Sequence, residues 1–119
     1  MSFEKALEEF TKAIEENVIG ALLVGRNGIV IASTFPADRD VDSLSKLSIS
    51  ISIMAEKLCK DLDRGFHEIT IIEMESGYLL IAPISKEMLL IVLTSENPPL
   101  GLILLEIEGI KARIGCSIE

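Results

Sequence analysis

His67 is the only histidine of the chain, so any Ser-His-Asp or Cys-His arrangement would have to use it. It stands beside Glu68 at the start of an apolar, β-branched run, where a partly exposed strand residue is the expected reading. The two cysteines, Cys59 and Cys116, lie far apart with no Cys-x-x-Cys spacing. Such a pair offers neither a zinc site nor a redox motif, and both read as reduced structural thiols. Gly25-Arg26-Asn27-Gly28 has the glycines of a phosphate loop, but it lacks the Lys-Ser or Lys-Thr that completes one. It also runs into a strand pattern and not into a helix N-terminus, where backbone N–H groups would hold an anion. The acidic pairs Glu8-Glu9, Glu15-Glu16 and Asp38/Asp40 fall on a helix surface and in a loop, without converging apolar walls, and read as solvated carboxylates. These residues compose no catalytic constellation, no metal site and no cofactor site, and the expectation is a protein that is not an enzyme.

The elements that position these residues follow from periodicity. Phe3, Leu7, Phe10 and Ile14 recur at helical spacing among Glu and Lys, which predicts an amphipathic first helix. Val18 to Arg26 and Ile29 to Thr34 are apolar, β-branched runs separated by Asn27-Gly28, a strong hairpin signal because both central residues of such a turn need positive φ. After a polar loop, Asp42 or Ser43 can cap a second helix. Leu47 to Ile53 alternates Leu, Ser and Ile with strand period, but over a longer window Leu44, Leu47, Ile51, Met54, Leu58 and Leu62 keep helical spacing. The longer window predicts a helix from Asp42 to Asp63, with Gly65 as its C-terminal cap. Three strands follow, Phe66 to Glu75, Tyr78 to Ile84 and Met88 to Thr94, separated by turns at Ser76-Gly77 and Ser85-Lys86-Glu87. Asn97 then caps a last helix with Pro98 at its first position, carrying Leu100, Ile103, Ile107, Ile110 and Ile114 and ending near Gly115.

The order α-β-β-α-β-β-β-α, with connections short enough to make only antiparallel neighbours, gives an α+β fold. Val18 to Gly25 and Met88 to Leu93 are apolar at almost every position, so both faces of the sheet are covered. The predicted architecture is an α/β/α sandwich around a five-stranded antiparallel sheet. At 119 residues, 49% apolar and 25% charged, residues 1–119 make one domain with a real core. The net charge of −8 argues against nucleic acid as a partner, and no apolar run approaches the roughly twenty residues of a membrane span. The N-terminus turns acidic within ten residues, unlike a signal peptide, so a cytoplasmic location is expected. A chain without Gln or Trp and crowded with Ile and Glu drifts in the direction of heat-adapted proteins, which predicts a thermophilic source.

The middle helix carries more apolar surface than one core needs. With Leu44, Leu47, Ile51, Met54, Leu58 and Leu62 on its core face, Ile49 and Ile53 lie almost opposite, rimmed by Lys46, Lys57 and Lys60. Ser45, Ser48, Ser52 and Cys59 form a strip of small side chains that would let another helix approach closely. The strand from Phe66 to Glu75 adds Ile69, Ile71, Ile72 and Met74 without a proline, and at a sheet edge it would invite pairing with a second copy.

The element order, the hairpin from Val18 to Ser33, the long middle helix and the meander containing Ala82-Pro83-Ile84 and Leu89 to Leu93 together resemble the Roadblock/dynein light-chain domain over essentially the whole chain. That resemblance implies a profilin-like sandwich that homodimerises through the middle helix and third strand, joining two sheets into one. It further implies a regulator or scaffold of a small Ras-like GTPase docked on the paired middle helices. On these terms Lys46, Ile49, Ile53, Lys57 and Lys60 face the GTPase, and Ser45, Ser48, Ser52, Cys59, Ile69 and Ile71 make the dimer contacts. No arginine can be placed as a finger, since Arg26, Arg39, Arg64 and Arg113 read as turn, loop or helix-end residues. The alternative is a profilin-like small-molecule sensor with a ligand between sheet and helix, against which the scarcity of inward polar residues weighs.

Overall fold

The computed structural model describes residues 2–118, with side chains as far as Gly115. Helices α1 (Phe3–Ala13), α2 (Val41–Asp61) and α3 (Leu100–Ile118) accompany strands β1 (Val18–Gly25), β2 (Val30–Ser33), β3 (Thr70–Met74), β4 (Gly77–Pro83) and β5 (Met88–Thr94). The order is the one expected from the sequence. All neighbouring strands are antiparallel, in the order β2-β1-β5-β4-β3, so the opening hairpin joins the meander through β1 and β5. That pairing runs from Val18 opposite Thr94 to Gly25 opposite Met88.

Two apolar layers form because successive residues of each strand point to opposite faces. On one face Ala21, Leu23, Leu80, Ala82, Leu90 and Val92 pack against Leu7 and Phe10 of α1 and Ile103, Ile107, Ile110 and Ile114 of α3. On the other face Leu22, Val24, Ile81, Leu89 and Ile91 pack with Phe35 beneath α2. β1 and β5 are thus apolar at nearly every position because each is covered twice. An ion pair of 2.8 Å between Arg113 and Glu9 ties α3 to α1.

Local chemistry sets the element ends, and it departs from expectation at several of them. Ser2 caps α1, its hydroxyl accepting from the Lys5 N–H at 3.1 Å, a bond worth about 1 kcal/mol. The cap of α2 is Asp40, ahead of the expected Asp42 or Ser43, and its carboxylate accepts from the Ser43 N–H at 3.1 Å. In the first hairpin only Gly28 has positive φ, at 93°, while Asn27 does not. The Gly28 N–H donates to Gly25 C=O and the Gly25 N–H to Ile29 C=O, the pattern of a turn followed by a glycine bulge and not of a two-residue turn. β3 starts at Thr70, four residues later than expected, because Phe66 to Ile69 lie outside the ladder with β4. Glu75 and Ser76 make the next turn, and Gly77 opens β4 opposite Met74. α3 begins at Leu100, not Pro98, because Pro99 disfavours helical backbone at the residue before it; Asn97 takes a left-handed φ of 49°. It runs through Gly115 to Ile118.

The largest correction concerns the faces of α2. Ser45, Ser48 and Ser52 have no exposed surface at all and lie against the helix's own sheet. Leu47, Met54, Leu58 and Leu62, expected in the core, are each 60 to 64% exposed. Of the expected core face only Leu44 and Ile51 pack inward, with Val41 and Ile49 beside them. Small side chains bring a helix closer to a sheet than leucines can, and the Ser45 hydroxyl is absorbed by donating to Val41 C=O at 2.7 Å. The apolar stripe therefore faces away from the chain's own core.

Candidate interaction surface

The outward apolar stripe of α2 has a definite shape. Leu47, Met54, Leu58 and Leu62 are spaced by seven, four and four residues, so they share one flank of the helix over about 22 Å. Leaving four such side chains in water forgoes roughly 1 kcal/mol each relative to burial. A monomer gains nothing from the arrangement, and contiguous apolar surface of this kind marks a contact surface. On a third side of the helix, roughly 120° from both the leucine flank and the serines, lies a second strip of Lys46, Ile53, Lys57 and Lys60. All four are exposed, Ile53 at 56%. Lys57 is engaged with Asp61 at 3.3 Å, one turn further on. Ile49 does not join them, being half-buried against the layer under α2.

The remaining predicted contacts separate similarly. Ser45, Ser48 and Ser52 are covered by their own sheet and present nothing to a second chain. Ile69 packs against the layer shared by α1 and α3. Ile71 projects from β3 and is 41% exposed. β3 is an edge of the sheet, as the sequence suggested, and its outer N–H and C=O groups have no neighbouring strand. It contains neither proline nor lysine to discourage pairing, and Met74 is exposed near its end.

The groups with chemical potential gather at the C-terminal end of α2. Cys59 is half-buried and lines a cleft together with Lys60 and His67; the side chain of Cys116 lies outside the described residues. His67 sits in the connection before β3 and not within a strand, its Nε2 sharing a hydrogen bond of 2.7 Å with the Thr70 hydroxyl. Burial pushes its imidazole below the ordinary value of 6.5, with the Glu56 carboxylate opposing the shift. Arg26, at the tip of the first hairpin, forms an ion pair with Glu56 and so ties that hairpin to α2. Among the described residues no group of three or more His, Cys, Asp or Glu side chains could hold a metal ion, and no helix is long and apolar enough to cross a membrane.

A family model, the Roadblock/LC7 domain, matches residues 4–94, which span every element except α3. The chain belongs to the Roadblock/LC7 family. Uncharacterized protein MJ0310 of Methanocaldococcus jannaschii is 33% identical over 100 residues, covering 84% of this chain and 85% of that one. The Roadblock/LC7 domain of Streptomyces avermitilis superposes with a TM-score of 0.89 at 13% identity, over 99% of this chain and 98% of that one, so α3 belongs to the shared fold. MglB, solved in a tetrameric arrangement, gives a TM-score of 0.80 at 24% identity, over 90% and 80%. Acanthamoeba castellanii profilin IA gives 0.66 at 12% identity over 95% and 96%, so the Roadblock/LC7 sandwich of this chain is profilin-like. At such identities these likenesses describe the fold, and the residues on α2 and β3 have to be argued from their own geometry.

Proposed function

We propose that this Roadblock/LC7 chain is a cytoplasmic, homodimeric, non-enzymatic regulator or scaffold of a small Ras-like GTPase. The observation that carries the reading is the uncovered apolar flank of α2, Leu47, Met54, Leu58 and Leu62, in a chain of this family. A second copy meeting that flank, with its β3 alongside this one, buries the leucines and pairs the open edge. The dimer contacts are then these four residues with Ile71 and Met74, while the serines fix the distance between α2 and its own sheet. The tetrameric arrangement recorded for MglB supports self-association of the fold. Pairing on the leucine flank leaves the strip of Lys46, Ile53, Lys57 and Lys60 outward, a basic rim around an apolar centre on an acidic chain. That strip is the GTPase-facing surface, and Ile49 supports it from within.

The test is a titration of the Ras-like GTPases of the same organism, loaded with GDP or with GTP, against wild type and the double variant Ile53→Asp/Lys57→Glu. Both positions are exposed, so the fold tolerates the change. Wild type binds at least one GTPase, and the variant loses at least tenfold in affinity, or about 1.4 kcal/mol. Equal binding by the two proteins removes this surface from the reading. Wild type that binds none of the GTPases in either nucleotide state overturns the function itself.

A further inference from the structure

The layers between helices and sheet are filled by apolar side chains, but a cleft of about 840 Å3 opens at one end of the sandwich. Its size falls within the range of about 300–1,000 Å3 typical of small-molecule sites. The β1–β2 turn, the end of α2, the α2–β3 connection, the β4–β5 turn and α3 all reach it. In a chain of net charge −8, four of its eleven Lys and Arg side chains meet here: Arg26, Lys60, Lys86 and Lys111. Glu56, Asp63 and Glu68 share the lining. Arg26 takes up Glu56, and Lys111 lies 3.8 Å from Glu108 on its own helix. Lys60 and Lys86 are exposed and form no ion pair among the described residues.

Two further observations point to an occupant. Arg26 Nε is buried without a hydrogen-bond partner, whereas the His67 ring is held by the Thr70 hydroxyl and the Ile69 backbone. An unpartnered buried polar atom costs the free protein stability that an incoming partner restores. Both residues line the cleft. Phe66, also in the lining, is 97% exposed, more than any other large apolar side chain described. It follows Gly65, whose φ of 92° lets the chain turn outward there. An aromatic ring with its faces in water is a stacking platform for a flat ring, while lysines and a guanidinium suit phosphate oxygens.

We propose that this cleft binds a phosphorylated small molecule of nucleotide size, its phosphate held by Lys86, Lys60 and Arg26 and its flat ring stacked on Phe66. Lys60 alone is shared with the proposed GTPase-facing strip, so the two sites are separable by mutation at Phe66 and Lys86.

Isothermal titration of the intact protein uses three probes: ADP for ring plus phosphate, inorganic pyrophosphate for phosphate alone, and adenosine for the ring alone. ADP binds at least tenfold more tightly than pyrophosphate, and adenosine gives no measurable heat. Phe66→Ser reduces ADP to the affinity of pyrophosphate, and Lys86→Glu weakens both phosphorylated probes at least tenfold. Both positions are exposed, and an unchanged circular dichroism spectrum confirms that each variant is folded. Absence of heat with millimolar ADP, or ADP affinity unchanged in both variants, overturns the site. Neither result touches GTPase binding, which is read through Ile53 and Lys57.

Discussion

Gly77 and Gly109 show how differently one residue type can be constrained. A Cβ on Gly77 would stand 2.5 Å from Thr94 C=O and 2.9 Å from Ser95 C=O, and its φ of 128° is closed to L side chains. Its neighbour Tyr78 also donates its backbone N–H to the Thr94 hydroxyl at 2.8 Å, so the backbone there cannot move aside without breaking a bond. Gly77→Ala therefore costs about 3 kcal/mol, from strain and overpacking together. Gly109 is exposed in the middle of α3 with nothing within 4 Å of a Cβ. Gly109→Ala gains about 0.5 to 1 kcal/mol from helix propensity alone. Urea denaturation monitored by circular dichroism reads both, with midpoints moving in opposite directions; equal shifts would contradict the geometry at Gly77.

At the scale of the element, α2 turns on whether its serines or its leucines face the sheet. Ser48 Oγ is buried with no partner, so Ser48→Ala removes an unsatisfied hydroxyl and raises helix propensity, and stability stays level or rises by up to about 1 kcal/mol. Ser48→Leu forces extra bulk between helix and sheet and costs roughly 1 to 3 kcal/mol. Thermal or urea midpoints distinguish the cases, and a Ser48→Leu variant as stable as wild type would show that the serines do not pack inward. This element also marks the limit of what the sequence discloses. The existence of α2 was legible over all but the first of its 21 residues, and so were the antiparallel meander, the doubly covered strands and the edge position of β3. The facing of α2 was not, because periodicity identifies an apolar face without saying which partner covers it. The usual inference, own core first, fails here because the serines take the sheet-facing side and leave the leucines exposed. The cleft was hidden for another reason: Arg26, Lys60, Phe66, His67, Lys86 and Lys111 come from five separate segments, and no spacing along the chain announces their meeting.

For the whole molecule, the leucine flank and the open edge of β3 combine into one expectation about assembly. Each is a cost to the isolated chain, and both are relieved by a single two-fold contact, in which the same patch meets itself. Light scattering at micromolar concentration then gives twice the chain mass, and Leu58→Asp, at a position 61% exposed in the single chain, gives the chain mass with its circular dichroism retained. Folding linked to association also makes the thermal midpoint depend on protein concentration, rising roughly 3 to 5 °C for each tenfold increase in wild type and staying level in the variant. Chains of net charge −8 repel one another, so the attraction has to come from apolar burial. Added salt screens the repulsion and leaves the burial intact, so the dimer persists or strengthens at about 0.5 M salt, several times physiological ionic strength. Dissociation at that salt would mean that charge pairs hold the two copies together and that the leucine flank is covered by something else.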